Sequence, residues 1–186
     1  PARLSSRAKR RCVFLDRDGV INHAQTNYVK HPREWQAIEG SVEAIARLTR
    51  AGVKVFIASN QSGLAKRLFD HDTLFAIHRK LHQQVASHGG HVHGFFFCPY
   101  LDGPDRKPNP GLLFDIAARA SLNLSRTPFI GDSLKDVKAA LTAQAIPVLV
   151  QTGNGAAAVQ AGDVPERVAV YANLHTAVNY LLKDNH

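Results

Sequence analysis

No stretch of this sequence is apolar over the roughly 18 residues that a membrane-crossing helix needs. The basic start, Pro1 to Arg11, lacks the apolar segment of a secretory signal. Both absences point to a cytoplasmic protein with no membrane partner. Cysteine is scarce as well. Cys12 and Cys98 are too few for a disulfide framework, and Cys12, at the head of an apolar run, reads as a buried thiol. Acidic side chains are outnumbered, 15 against 23 Lys and Arg, so the formal net charge is +8. That excess favours anionic partners, among them phosphorylated metabolites and nucleic acid. Part of it sits in Arg3, Arg7, Lys9, Arg10 and Arg11, with no aromatic side chain alongside on which a base could stack. Residues 1–11 therefore read as a solvated basic arm, and a nucleic-acid role is disfavoured. No internal repeat or low-complexity segment is visible. The ten histidines are scattered, and none is assigned a role.

The chain turns on Val13-Phe14-Leu15-Asp16-Arg17-Asp18-Gly19-Val20. A short apolar run ending at a turn signal predicts a buried parallel strand. Asp16 and Asp18 then lie at its carboxyl end, where open α/β sheets place their ligands. Two carboxylates there can hold magnesium, and one of them can attack phosphorus.

Further apolar runs predict strands over Val53–Ala58, His91–Cys98, Pro128–Ile130, Ile146–Val150 and Val168–Val170. Helices are predicted from Ser41 to Ala51, Asp72 to Ser87, Gly111 to Ala120 and Leu134 to Ala143. A small helix follows the glycine loop at 151–155, and a last one, capped by Asn173, ends near Leu182. Strands thus alternate with helices, which predicts a Rossmann-like α/β three-layer sandwich with a mainly parallel sheet. The connections leave no room for a large cap domain. Residues 12–186 read as one domain behind the arm at 1–11. Ile21 to Trp35 has no helical periodicity and reads as a flap, with Trp35 and Tyr28 either packing it onto the sheet, the favoured reading, or lining the substrate's entrance.

Four polar clusters follow successive strands: Asp16/Asp18, Ser59/Asn60, Lys107 and Asp132/Asp136. In a doubly wound sheet these ends converge on one edge. The residue types suit a phosphate monoester. Acids hold a cation, Lys107 adds positive charge, and the Ser59 hydroxyl can hold phosphoryl oxygens. Asp18 can give and take a proton. Taken singly the signals are plain: Lys107 could be a solvated charge, and Asp132 could simply cap the helix beginning near Leu134.

In order, Asp16-x-Asp18-Gly-Val, Ser59-Asn60, Lys107 and Gly131-Asp132-x-x-x-Asp136 resemble the four motifs of the haloacid dehalogenase superfamily of phosphatases. The likeness runs from about Cys12 to Val150. Phe14 to Asn22, Ser59-Asn60-Gln61-Ser62-Gly63 and Arg106-Lys107-Pro108 look like the histidinol-phosphatase and heptose-bisphosphatase branch. The resemblance implies a magnesium-dependent aspartyl-phosphate mechanism in a monomer acting on a small phosphorylated metabolite. Heptose 1,7-bisphosphate leads, losing its 7-phosphate, with histidinol phosphate as the alternative and a nucleic-acid 3'-end phosphatase behind both. Asp16 would be nucleophile and metal ligand. Asp18 would be acid/base and bind metal through its carbonyl. Ser59, Asn60 and Lys107 would grip the phosphoryl group and Arg106 the substrate. Asp132 would bind metal directly and Asp136 through water. Many members of the branch hold zinc with four Cys and His side chains in the loop before Arg-Lys-Pro. Here Cys98 stands alone, with Tyr100, Gly103 and Asp105 at the other places. One thiol makes no tetrahedral site, so no zinc is expected. His91 and His93 nearby read as surface or packing residues.

Overall fold

The computed structural model describes residues 12–183; the basic arm lies outside them. Six strands form one sheet: β1 (Cys12–Leu15), β2 (Lys54–Asn60), β3 (Gly94–Cys98), β4 (Pro128–Gly131), β5 (Ile146–Val150) and β6 (Ala169–Tyr171). All neighbouring pairs are parallel, in the order β3-β2-β1-β4-β5-β6. Six helices connect or follow them: α1 (Ser41–Arg50), α2 (His71–Ser87), α3 (Gly111–Ala120), α4 (Leu134–Thr142), α5 (Gly155–Gln160) and α6 (Leu174–Lys183).

Alternation along the strands makes the three layers. Val13, Leu15, Val55 and Ile57 face α1, α2 and α6, where Ile45, Leu48, Ile77, Leu81 and Val178 are buried with them. Cys12, Phe14, Phe56 and Ala58 face the other way, onto Leu113 and Ile116 of α3 and Ala139 and Ala140 of α4. The strands are buried on both faces, which is why they read as unbroken apolar runs.

Several element ends shift by a residue from the sequence reading; two strand ends and one cap differ in ways that bear on the site. β2 continues through Ser59 and Asn60, so these residues end the strand and do not follow it. β3 begins at Gly94 and not at His91, because the His93 ring, through Nδ1, accepts the Val55 N–H that a longer β3 would have paired with (3.1 Å). Ser133, not Asp132, stands at the N-cap of α4, where its N–H and Oγ both reach the Asp136 carboxylate (3.1 and 2.7 Å).

The segment expected to be a flap bends back over β1. Asn22 bridges to Asp18 on one side and Ala37 on the other. Lys80 of α2 ties it down, donating to the carbonyls of Pro32 (2.7 Å) and Trp35 (2.8 Å) with its ammonium over the Trp35 ring. Trp35 is buried and packs as expected. Tyr28 does not: its hydroxyl meets Ser62 Oγ at 3.2 Å, and the side chain lines a cavity at the carboxyl edge of the sheet.

Candidate active site

The sheet brings the carboxyl ends of β2, β1, β4 and β5 side by side. Asp16 follows β1, and its N–H bonds to Ile130 of β4 (2.9 Å), fixing the two central strand ends against each other. Asp132 follows β4. Together with Ser59, Lys107 and Asp136 they line one cavity of about 540 Å³, whose mouth carries Tyr28, Arg106 and Lys135.

Lys107 is the centre of this arrangement. It comes from the loop between β3 and α3, is joined to Pro108 by a cis peptide bond, and is almost fully buried. Nζ reaches Asp136 Oδ1 at 2.7 Å, Asp16 Oδ2 at 3.0 Å and the Ala58 carbonyl at 2.9 Å, so all three ammonium protons have a partner. Burial alone would lower its pKa; the Asp136 and Asp16 carboxylates outweigh that and raise it. Asn60 holds the backbone beneath: its Nδ2 donates to the Lys107 carbonyl (3.0 Å) and its Oδ1 accepts the Lys107 N–H (3.1 Å). Oδ1 and one Nδ2 proton thus position the lysine, and Asn60 also lines the cavity.

The acids fall into two kinds. Asp16, Asp132 and Asp136 each present a carboxylate oxygen within 4.8 Å of the others. Burial, with repulsion from Asp136 and Asp132, pushes Asp16 up to about 8 despite Lys107. Burial and Asp136 lift Asp132 to about 6 against the pull of Asn154 and Lys107. Asp18 is different. Burial raises its pKa, but the Arg17 guanidinium and donors from Asn22 and Gln61 outweigh it and hold the carboxyl below the ordinary range. Arg17 is fully buried and reaches Asp18 through Nε (3.2 Å) and Nη2 (2.9 Å). Asn22 Nδ2 adds 2.9 Å, and Gln61 Nε2 another 2.9 Å.

Four of these supports were missed in the sequence: Arg17, Asn22, Gln61 and Asn154. Asn154, in the loop after β5, gives both its N–H (2.8 Å) and Nδ2 (3.0 Å) to Asp132 Oδ2. A signal did exist, since Asn154 also follows the carboxyl end of a strand. Close approach explains two glycines here. A Cβ on Gly19 or Gly153, both at positive φ, would strike the Asp132 carboxylate.

Elsewhere, Arg106 Nη1 donates to the Tyr100 carbonyl at 3.0 Å from the rim of the cavity. Cys98 is buried, whereas Tyr100 is exposed. His78 and His82 lie four apart on α2 but diverge: His78 is buried, stacked on Phe95 and near Arg17, while His82 meets the exposed His91. Among the described residues, Asp16, Asp132 and Asp136 form the one group of three or more His, Cys, Asp or Glu side chains drawn together closely enough to hold an ion. No helix among them is long and apolar enough to cross a membrane.

Fold and site together define the class, a HAD-like phosphatase. A family model described as HAD-hydrolase-like matches residues 105–177. The chain is 48% identical over 177 residues to the D-glycero-beta-D-manno-heptose-1,7-bisphosphate 7-phosphatase of Bordetella bronchiseptica, spanning 92% of this chain and 98% of the relative. It is 39% identical to the enzyme of that name from Neisseria meningitidis, over 93% of this chain and 95% of the relative. A crystal structure of the D,D-heptose 1,7-bisphosphate phosphatase of B. bronchiseptica, complexed with magnesium and phosphate, superposes with a TM-score of 0.91 at 46% identity, covering 94% of this chain and 99% of that one. The chain belongs to the histidinol-phosphatase and heptose-bisphosphatase branch of the haloacid dehalogenase superfamily.

Proposed function

We propose that the chain is a magnesium-dependent phosphomonoesterase working through an aspartyl-phosphate, with D-glycero-D-manno-heptose 1,7-bisphosphate as substrate and the 7-phosphate as the group removed. The observation that carries the reaction is the buried Lys107 ammonium seated between Asp16 and Asp136, with Asp132 beside them. The names of the relatives carry the substrate.

The residues suit a hard divalent cation. Three carboxylates, two buried and Asp16 partly so, offer only oxygen, and the single ammonium among them leaves an excess of negative charge. Asp16 and Asp132 would hold the ion with the Asp18 carbonyl. Asp136, with one oxygen on Lys107 and the other on the α4 cap, would reach it through water. Bound there, magnesium supplies Lewis-acid charge to phosphoryl oxygens.

The chain's own residues do the rest. Asp16 attacks phosphorus, forming its O–P bond as the ester O–P bond breaks. Asp18, ionised in the resting site, takes up a proton from solvent or the phosphate monoester as substrate binds and passes it to the departing oxygen; it then takes one from the water that hydrolyses the aspartyl-phosphate, releasing phosphate and restoring Asp16. The Ser59 hydroxyl holds a phosphoryl oxygen, and Lys107 exchanges its bond to Asp16 for one to another as Asp16 attacks. Asn60 steadies Lys107, and Arg106 contacts the sugar portion from the rim.

A phosphate-release panel tests this. Heptose 1,7-bisphosphate is expected to turn over with magnesium and not with EDTA. Histidinol phosphate and a 3'-phosphorylated oligonucleotide are expected to lag by about a hundredfold, the order of discrimination that pocket shape supplies. Faster hydrolysis of histidinol phosphate would transfer the substrate assignment to it.

Protons and magnesium compete for the same oxygens. Asp16, at about 8, and Asp132, at about 6, stand above the ordinary carboxyl value of 3.8, so over this interval the folded chain binds more protons than the unfolded one. The stability they contribute is complete below pH 3.8 and is lost as pH rises through 6 and then 8. Magnesium displaces these protons, so its gain in Tm over EDTA is expected to grow between pH 6 and 8. Melting curves with a flat gain across that window would take the cation away from these acids.

A further inference from the structure

Gln61 stands where β2 has just ended, and its side chain is almost fully buried. Its Nε2 lies 2.9 Å from Asp18 Oδ2 and 2.8 Å from Ser59 Oγ. Its backbone N–H is anchored on the Cys98 carbonyl (2.8 Å), which fixes the origin of the side chain against β3. An ionised carboxylate only accepts hydrogen bonds, so the amide must turn its nitrogen, not its oxygen, toward Asp18. That nitrogen carries two protons. With one on Asp18, the other lies on Ser59 Oγ.

The direction of the second bond matters. Ser59 Oγ is the acceptor, so its own proton is left to point elsewhere, and Ser59 lines the cavity that Asp16 and Lys107 share. We propose that Gln61 is a positioning residue with two effects. It orients the Ser59 hydroxyl as a donor to a phosphoryl oxygen, and it holds the Asp18 carboxyl at the leaving-group side. One amide nitrogen thereby ties the phosphate grip to the proton donor. The inference rests on the phosphatase reading given above.

Gln61→Glu separates this from a simple packing role. The shape is kept, but a carboxylate in that place accepts from Ser59 and turns the hydroxyl away from the cavity. The Ki for inorganic phosphate, measured with magnesium in competition with p-nitrophenyl phosphate, is expected to rise by about tenfold or more. Added negative charge would also weaken phosphate binding, so the same change is made in a Ser59→Ala background. There the hydroxyl is gone, and Gln61→Glu is expected to add less than about threefold. A full additive loss would assign the effect to charge and overturn the proposal.

Gln61→Leu tests the Asp18 arm. It keeps the volume and removes the donor. A phosphate ester of an aliphatic alcohol needs its oxygen protonated as it leaves, and p-nitrophenolate does not. The kcat is expected to fall about tenfold further for the aliphatic ester than for p-nitrophenyl phosphate. Equal losses on both substrates would overturn this arm, and Tm values near that of the parent would exclude misfolding as their source. With heptose 1,7-bisphosphate as the aliphatic ester, a parent chain that releases no phosphate from it with magnesium present defeats the phosphatase reading and not the role of Gln61.

Discussion

Asp16→Asn is expected to lower kcat by about 10⁴-fold or more, because removing a nucleophile leaves only binding and electrostatic terms. The fold should survive, and the direction of the stability change can be worked out. Asp16 is buried beside Asp132 and Asp136, and their repulsion helps to push its pKa up to about 8. An uncharged amide relieves that repulsion and gives up one ion pair, to a lysine that keeps Asp136 and the Ala58 carbonyl. In EDTA near pH 8 the variant should therefore melt no lower than the parent. It should also lose most of the stabilisation by magnesium. Steady-state kinetics and paired melting curves check the two halves separately. Full turnover in the variant would place the activity elsewhere in the preparation and remove Asp16 from the mechanism.

Lys107→Met is the second large effect, and here the loss of stability accompanies the loss of rate. The ammonium is the cation in contact with Asp16 and Asp136. Taking it away should cost about 10³-fold in kcat/KM, as the removal of a preorganised charge does. It also leaves buried carboxylates uncompensated, for which about 3–5 kcal/mol of stability is the usual loss. That loss has a pH signature. Without Lys107 the acids keep their protons more readily, and a protonated acid needs no counter-charge. Urea unfolding in EDTA should show the larger deficit at pH 8 and a smaller one at pH 5. An equal deficit at both would mean that the lysine acts by filling space.

The frame was readable because burial on both faces leaves strands as continuous apolar runs. Val13 to Leu15 and Val55 to Ala58 lie in neighbouring parallel strands, and the acids behind the first fall at the carboxyl edge of the sheet. Lys107 was legible only by its place before α3, since a single lysine in a proline-rich loop has no pattern of its own. What escaped was the scaffolding between clusters. Gln61 meets Asp18 across 43 residues, and Asn154 meets Asp132 across 22. Neutral amides at such separations leave no periodicity to detect. Tyr28 could be read either way from the sequence: at a positive φ of 62° it lines the cavity and does not join the core. The early end assigned to β2 has another origin. Ser and Asn are turn-formers by composition, yet here Ser59 and Asn60 register against Phe97 and Cys98 as strand residues.

Lys80 joins α2 to Pro32 and Trp35, and Ser41 Oγ donates to the Ile21 carbonyl at 2.6 Å. The segment over β1 is thus nailed to the helical layer at both of its ends. It serves as a fixed rampart and not as a hinged door. Under the proposed function, a sugar phosphate would meet a doorway whose two posts are set by the fold.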